Sequence, residues 1–377
     1  MTNRSISMDL DFSEEQVMLR DTAKGICSEY VTSASIRELE NDELGYSAPF
    51  WQQLAELGIA GLNVPEAYGG MQWGMLEAAV VYEEFGRSLA STPHFQSCVL
   101  SAKVLELAGS EAIKTQWLPA IAAGEAIITP AWTEAGGGFD AVGVQLSADK
   151  QGETYSLNGT KILVPFARAA SRLLVLARNG DQMLGALVDP QADGVTLAYE
   201  KNHASQPVFQ VDFKNVQVSA ADVMADDFWL HWDQAVNRSI VALAAQAIGG
   251  AEAIHAMTVD YAKQRVQFGK QIGAFQSIAH YLADLSVEIE GAKVLVYQAA
   301  WALDNNKPWQ QLALMAKLQA CDVFRKASAT GVQVHGGYGF TLEGDPQLYF
   351  RRAKFQQVTY WDSAYLENRI ADAVLAA

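Results

Sequence analysis

From Phe228 the chain reads FWLHWDQAVNRSIVALAAQAIGGAEAIHAMTVDYAKQRV, a helical pattern of more than 30 residues with no proline inside it. Two further long runs follow, QSIAHYLADLSVEIEGAKVLVYQAAWALDNN and PWQQLALMAKLQACDVFRKASATGVQVHGG. Helices of this length cover their apolar faces by lying side by side, so residues 226–377 are expected to form a bundle.

Upstream the pattern differs. Between 128 and 225 short runs rich in Val, Leu and Tyr (TYSLNGTKILV, RLLVLARN, MLGALVD, VTLAY, VFQVDFKNVQV) are separated by Gly, Asn and Asp. No long helical pattern lies between them, which favours an antiparallel sheet or barrel over a βαβ array. Residues 1–127 read as helical from about residue 8. Ser13 is the expected N-cap of the first helix, with Glu14 and Glu15 in its first turn. APFWQQLAELGIAGL should end near Gly58, and SEAIKTQWLPAIAAG should be a helical pair broken at Pro119. The expectation is an α+β chain: an N-terminal helical domain (1–127), a central antiparallel β domain (128–225) and a C-terminal four-helix bundle (226–377).

A chain of 377 residues exceeds one simple core, and 50% hydrophobic against 19% charged residues is the balance of a packed globular protein. No apolar run reaches bilayer length, and MTNRSISMDLDFSEEQ lacks the apolar centre of a signal peptide. The three cysteines, Cys27, Cys98 and Cys321, are too scattered for a disulfide framework or a metal site. A cytoplasmic location is the simplest expectation. The net charge of −16 argues against nucleic-acid binding and draws attention to the few cations near Gly-rich or aromatic stretches.

Four such stretches stand out. WTEAGGGFDAVG (132–143) has three adjacent glycines that let backbone approach a ligand closely, with Thr133 to meet polar groups; from spacing alone a flexible turn is the favoured reading, since Gly-rich loops are common. RVQFGKQIGAFQ (265–276) brings Arg265 and Lys270 together with Phe268, Phe275 and Gln276, and QVHGGYGFTLEGD (333–345) brings Gln333, Gly336 and Gly337. A plain helix–helix connection accounts for either one. QVTYWDSAYLENR (357–369) carries a lone acid, Asp362, beside Tyr360 and Trp361. It is either a base in an apolar pocket or a helix N-cap.

Taken together and in this order, the stretches resemble the acyl-CoA dehydrogenase family from end to end. FSEEQVMLRDTAK, LAELGIAGLNVPEAYGG and YEEFGRSL are similar to its N-terminal domain, TEAGGGFD to its TEPGxGSD loop, and RVQFGKQIGAFQ and QVHGGYGF to its two C-terminal signatures. The resemblance implies FAD between the β domain and the C-terminal bundle, with the ADP half held by a neighbouring subunit in a dimer of dimers. It implies that Thr133 meets the flavin pyrimidine edge. Arg265, Gln267, Phe268, Gln333, Gly336 and Gly337 would serve the partner's FAD, Gln276 would also bind the cofactor, and Arg238 would lie near the acyl-CoA pocket or be a structural charge. The implied reaction is α,β-dehydrogenation of an acyl-CoA thioester, with an electron-transfer flavoprotein as acceptor. A carboxylate removes the α-proton, and Asp362 stands where the family keeps its glutamate. The other family position for that glutamate is occupied by Ala256 and Met257.

The pattern is broken at several places. Asp is shorter than Glu by roughly 1.5 Å. Phe139 replaces the serine of GSD, Leu163 a tryptophan, Pro165 a threonine near flavin N5, and Ala364 the threonine two places after the base. The contacts offered to the chain's own flavin are thinned while those offered to a neighbour's are intact. GYGFTLEGDPQLYFRRAK is also similar, in part, to members from steroid and sterol side-chain degradation that form heterotetramers. Three functions therefore compete: an active dehydrogenase with Asp362 as base, a non-catalytic partner subunit of a heterotetramer, and a nitroalkane-oxidase-like flavoprotein. A shared fold does not choose among them.

Overall fold

A computed structural model describes residues 11–375. The expected start of the first helical stretch at residue 8 and most of the segment read as lacking a signal-peptide core lie outside the described residues.

Six α-helices precede the strands: α1 (Glu14–Tyr30), α2 (Ser33–Leu39), α3 (Ala48–Glu56), α4 (Met75–Arg87), α5 (Ala102–Ala108) and α6 (Glu111–Ala122). Ser13 caps α1 as expected: its hydroxyl accepts the Gln16 N–H, and the Gln16 side chain accepts the Ser13 N–H, a reciprocal box. Helix α3 ends at Glu56, and Gly58 follows in the left-handed region. Pro119 does not break α6. It lies in the last turn, where the lost N–H costs one hydrogen bond and Ser110 holds the other end through the Ile113 N–H. The segment Phe95–Ser101 before α5 is wound as a π-helix, an over-wide turn that propensity does not announce.

The strands are β1 (Ile128–Ala131), β2 (Ser147–Gln151), β3 (Thr154–Pro165), β4 (Arg172–Asn179), β5 (Gln182–Val188), β6 (Val195–Glu200), β7 (Val208–Ser219) and β8 (Val223–Met224). They form one sheet in the order β6-β7-β3-β2-β4-β5-β8, with β1 alongside β4. The pairing is antiparallel except that β1 and β2 both meet β4 in parallel, so the sheet is mixed rather than antiparallel throughout. Phe209, Val211 and Phe213 of β7 alternate into the same core as Leu173, Val175 and Ala177 of β4, the period of two that a half-covered sheet requires.

Helix α7 (Phe228–Gln264) runs unbroken for 37 residues. The two-stranded hairpin β9 (Val266–Gln267) and β10 (Lys270–Gln271) follows it, then α8 (Gln276–Asp304), α9 (Gln310–His335), α10 (Pro346–Val358) and α11 (Ser363–Leu375). Contrary to the sequence expectation, α7 is by length and composition long and apolar enough to cross a bilayer. However, 67% of the qualifying window is buried inside the protein, which makes it a core helix.

Contacts divide the chain into two compact units. One takes the described part of Met1–Val31, Gly74–Ala90 and Ile240–Ala377; the other takes Thr32–Trp73 and Ser91–Ser239. In the first, α1 and α4 join the C-terminal helices. Helices α4 and α7 meet backbone to backbone: a Cβ on Gly86 would lie 1.8 Å from the Gln246 carbonyl oxygen, and one on Gly249 would lie 1.8 Å from that of Glu83. The same crossing is tied by charge. Lys293 of α8 bridges Glu83 and Glu252 at 2.9 and 2.8 Å, and Arg87 pairs with both. Burial and the neighbouring Glu252 push the Glu83 carboxyl above the usual range, and the Tyr297 hydroxyl donates to it at 2.6 Å.

Candidate active site

Asp362 lies at the α10–α11 turn of the first unit. The two residues before it, Tyr360 and Trp361, are both left-handed, with φ of 50° and 72°. Two consecutive non-glycine residues in that region are costly and persist where the surroundings fix them. Trp361 is one anchor: it is 1% exposed, with the Arg369 guanidinium 4.5 Å from its ring centre. Asp362 then caps α11. Its Oδ1 accepts the Tyr365 N–H at 2.9 Å, and its own carbonyl accepts from Leu366. Its Oδ2 makes no hydrogen bond among the described residues. The half-buried carboxylate therefore has one oxygen held by the helix start and one oxygen available. The cap reading and the base reading are compatible, since each uses a different oxygen. Ala364, on the first turn of α11, is exposed.

A second group assembles elsewhere on the same unit. Phe268 (φ 53°) and Gly269 (φ 80°) make the tight turn of the β9–β10 hairpin, in which Lys270 pairs with Gln267 and Gln271 with Val266. Phe268 is 92% exposed at the tip, and Arg265, Gln267 and Gln276 are exposed around it. Phe275 stacks edge-on with Phe268 and carries the Lys270 ammonium 4.2 Å from its ring centre. Beneath them Ala262, Ile272 and Leu282 form a small core that also takes in Val334 of α9. That core brings the 265–276 stretch beside the C-terminal end of α9, where Gln333, Gly336 and Gly337 are exposed. A Cβ on either glycine would meet nothing within 4 Å, and Gly336 needs its positive φ of 63° to end the helix. An exposed aromatic ring, a guanidinium, three amides and a bare backbone suit an anionic aromatic dinucleotide such as FAD. Asp362 is not part of this group: the α10–α11 turn meets α9 near Lys317, about 24 Å along the helix from Gln333.

The second unit carries Thr133, Arg238 and the Gly-rich loop. The Thr133 carbonyl accepts the Ile162 N–H at 2.9 Å, which fixes the loop entry to β3. Next to it Lys161, fully buried, donates to Glu134 at 2.6 Å and to the Trp132 carbonyl at 3.0 Å. Glu134 in turn accepts the N–H groups of Gln145 and Leu146 across the loop's far end. Burial pulls the Lys161 ammonium down to about 8, against the opposing pull of Glu134. The loop closes on itself at Gly137 and Gly143, each too near the other's carbonyl for a side chain. Sequence reading missed this clamp, although a lysine at an inward position of an alternating strand was a signal for it. Phe139 packs 5.5 Å from Trp132, which itself meets Trp232 at 5.1 Å. Leu163 is left-handed and 48% exposed, and the Pro165 carbonyl accepts the Thr129 hydroxyl.

Arg238 is half-buried on α7, and its charge reaches Lys103 on α5. Burial first, then Arg238, hold the Lys103 ammonium below its usual range, while Glu106 opposes both. In the same unit several buried side-chain atoms lack a hydrogen-bond partner: Thr92 Oγ1, Gln96 Oε1 and Ser101 Oγ in and beside the π-helical segment, and Asn237 Oδ1 and Ser239 Oγ on α7. Buried polar atoms left in this state commonly mark places where a ligand or water completes the bonding. Sequence reading did not single them out, since Ser and Gln within a helical run carry no such signal.

Comparison with known proteins agrees along the whole chain. The family models for the acyl-CoA dehydrogenase N-terminal, middle and C-terminal domains match residues 13–125, 129–218 and 232–375. The short-chain specific acyl-CoA dehydrogenase of Megasphaera elsdenii is 32% identical over 338 residues, 85% of this chain and 88% of that protein. The solved butyryl-CoA dehydrogenase of the same organism superposes with a TM-score of 0.90 at 28% identity, covering 98% of this chain and 100% of that one. The ChsE4-ChsE5 complex of Mycobacterium tuberculosis contains a chain matched at TM-score 0.89 and 27% identity, again over 98% and 100%. The chain belongs to the acyl-CoA dehydrogenase family, whose members are FAD-dependent oxidoreductases acting on acyl-CoA.

Proposed function

We propose that the chain binds FAD and catalyses α,β-dehydrogenation of an acyl-CoA thioester, with Asp362 as the base that takes the α-proton. The observation that carries this reading is the state of the Asp362 carboxylate. It is fixed by its cap bond to Tyr365 and flanked by buried Trp361, and it keeps Oδ2 available. A base must be both held and accessible. Bound FAD supplies the acceptor for the β-hydrogen. Thr133 and the clamped loop of the second unit would hold the flavin ring of this chain's own FAD. The exposed group Arg265, Gln267, Phe268, Gln276, Gln333, Gly336 and Gly337 faces outward and suits the ADP half of a neighbouring subunit's FAD, which supports a tetramer. Arg238, with Lys103 nearby, supplies positive charge for the CoA moiety. An electron-transfer flavoprotein is the expected electron acceptor.

A second reading has its own support. Phe139 packs against Trp132, and Pro165 offers neither hydroxyl nor N–H, where the family pattern supplies hydroxyls. A chain so depleted toward its own flavin but complete toward a neighbour's suits a subunit that completes the FAD site of a different partner. The similarity to a chain of the ChsE4-ChsE5 complex, named as an assembly of two proteins, is in keeping with that.

One experiment separates them. The chain purified alone should be yellow, with near-stoichiometric FAD, and should bleach anaerobically with acyl-CoA. A colourless protein that gains FAD only with a co-expressed partner selects the second reading. Bleaching by nitroalkanes but not by acyl-CoA overturns both.

A further inference from the structure

We infer that Lys317 is a positioning residue for Asp362; the inference rests on Asp362 being the base proposed above. Lys317 lies in the N-terminal third of α9 and is fully buried. Its ammonium has three N–H donors and meets three acceptors: the Gln356 carbonyl at 2.9 Å, the Thr359 carbonyl at 3.3 Å and Cys321 Sγ at 3.5 Å. Two of these are carbonyls at the C-terminal end of α10, where the helix has no N–H of its own to offer. Positive charge also suits the negative end of the helix dipole there.

That contact fixes the point from which the chain leaves α10. Thr359 is the cap residue, and only Tyr360 and Trp361 separate it from Asp362. With so short a link, a small rotation at Thr359 is carried into the direction of the Asp362 side chain. The far side of the turn is fixed independently by the buried Trp361 ring and the Asp362–Tyr365 cap bond. The carboxylate sits where the two constraints meet. Without the ammonium, the buried Gln356 carbonyl and the half-buried Thr359 carbonyl must find other donors, and the entry to the turn shifts. Asp362 has no length to spare, so a displacement of about 1 Å costs on the order of a hundredfold in rate.

The test uses the full-length, FAD-loaded protein with Lys317→Met, Lys317→Gln and Asp362→Asn. Lys317→Met should lose about a hundredfold in kcat while KM for acyl-CoA changes less than about twofold. Hydrogen exchange at the Tyr365 amide should speed up in the same variant. Lys317→Gln, whose amide can donate to the carbonyls but is one bond shorter, should recover only part of the rate, so that its kcat lies between those of Lys317→Met and the wild type. Lys317→Met placed on Asp362→Asn should slow the enzyme no further. An unchanged kcat, a loss confined to KM, additive losses, or a Gln variant as slow as the Met variant overturns the inference. Should Lys317→Met fail to fold, Lys317→Arg decides: its longer head displaces the carbonyls, so kcat must fall at constant KM, and an unchanged kcat overturns it. If Asp362→Asn is fully active, the base reading fails by itself. Tyr365 exchange in Lys317→Met then decides alone, and wild-type protection overturns the positioning role.

Discussion

The Asp362 carboxylate is bound to the backbone of the helix it starts, with Oδ1 2.9 Å from the Tyr365 nitrogen. Helix capping and proton abstraction are thus two demands on one side chain, and substitution separates them. Asn caps as well as Asp, so Asp362→Asn should keep wild-type stability within a few tenths of a kcal/mol. Turnover should still fall by about a hundredfold or more, the usual contribution of a general base. Asp362→Ala should lose turnover and also about 1 kcal/mol of stability with the cap. Urea unfolding alongside steady-state kinetics of both variants reads the two effects. Full activity in Asp362→Asn would leave Asp362 a cap and nothing more.

The Lys161–Glu134 clamp gives a pH signature. The folded state holds Lys161 down to about 8, against 10.5 for a free lysine. Between those values the unfolded chain binds the extra proton, so this group's contribution to stability grows as pH rises from about 8 to 10.5 and is lost as pH falls through 8. Unfolding measured from pH 7 to 10 should show that rising component in the wild type and not in Lys161→Met. The same variant leaves the half-buried Glu134 without its cation and should lose about 1–3 kcal/mol at pH 7. It should also retain less FAD on dilution, because Glu134 organises both ends of the Gly-rich loop.

These residues mark the boundary of what the sequence makes legible. Local chemistry was readable: the Ser13 cap, the αL stop at Gly58, the strand runs of 154–165 and 172–179, and the unbroken α7 all follow from spacing and turn residues. Motif order pointed to the family, and the hairpin and α9 end do converge through the small core at Ala262, Ile272 and Leu282. Partnership was not readable. Nothing in MLEAAVVYEEFGRSL says that α4 packs with helices more than 150 residues later, because an apolar face names no partner. The parallel pairing of β1 and β2 with β4 was hidden for the same reason. Lys161 and Lys317 were passed over because a lone lysine reads as a surface residue. Only the tertiary structure shows the carbonyls and the carboxylate that allow each to be buried.

His94 should set the acid limit of the second unit. It is buried, with Nε2 2.9 Å from the Ile59 carbonyl, so it is neutral with the proton on Nε2. Burial lowers its pKa to about 4, against 6.5 when unfolded. Below 6.5 the unfolded chain takes up a proton that the folded one refuses, so stability falls as pH drops from 6.5 to 4. The loss from this group is on the order of 3 kcal/mol at full titration. His94→Gln retains an amide donor for Ile59 and does not titrate. Its stability relative to wild type should therefore improve steadily over that range, and a constant difference between the two proteins would show that His94 is not responsible.

The α4–α7 crossing should tolerate no side chain at Gly249. An alanine Cβ there would lie 1.8 Å from the Glu83 carbonyl oxygen and 2.9 Å from the Arg87 nitrogen, both backbone atoms that cannot swing aside. Relief requires the helices to separate, and separation pulls on the same residues whose side chains form the Glu83–Arg87–Glu252–Lys293 network. Overpacking of this kind costs about 3 kcal/mol, and stretching the partly buried ionic network adds to it. Gly291, on α8, has nothing within 4 Å of its Cβ position and serves as the control. Gly291→Ala should gain a few tenths of a kcal/mol or more from helix propensity, while Gly249→Ala should unfold at markedly lower urea. Equal midpoints for the two variants would mean that α4 and α7 do not meet at Gly249.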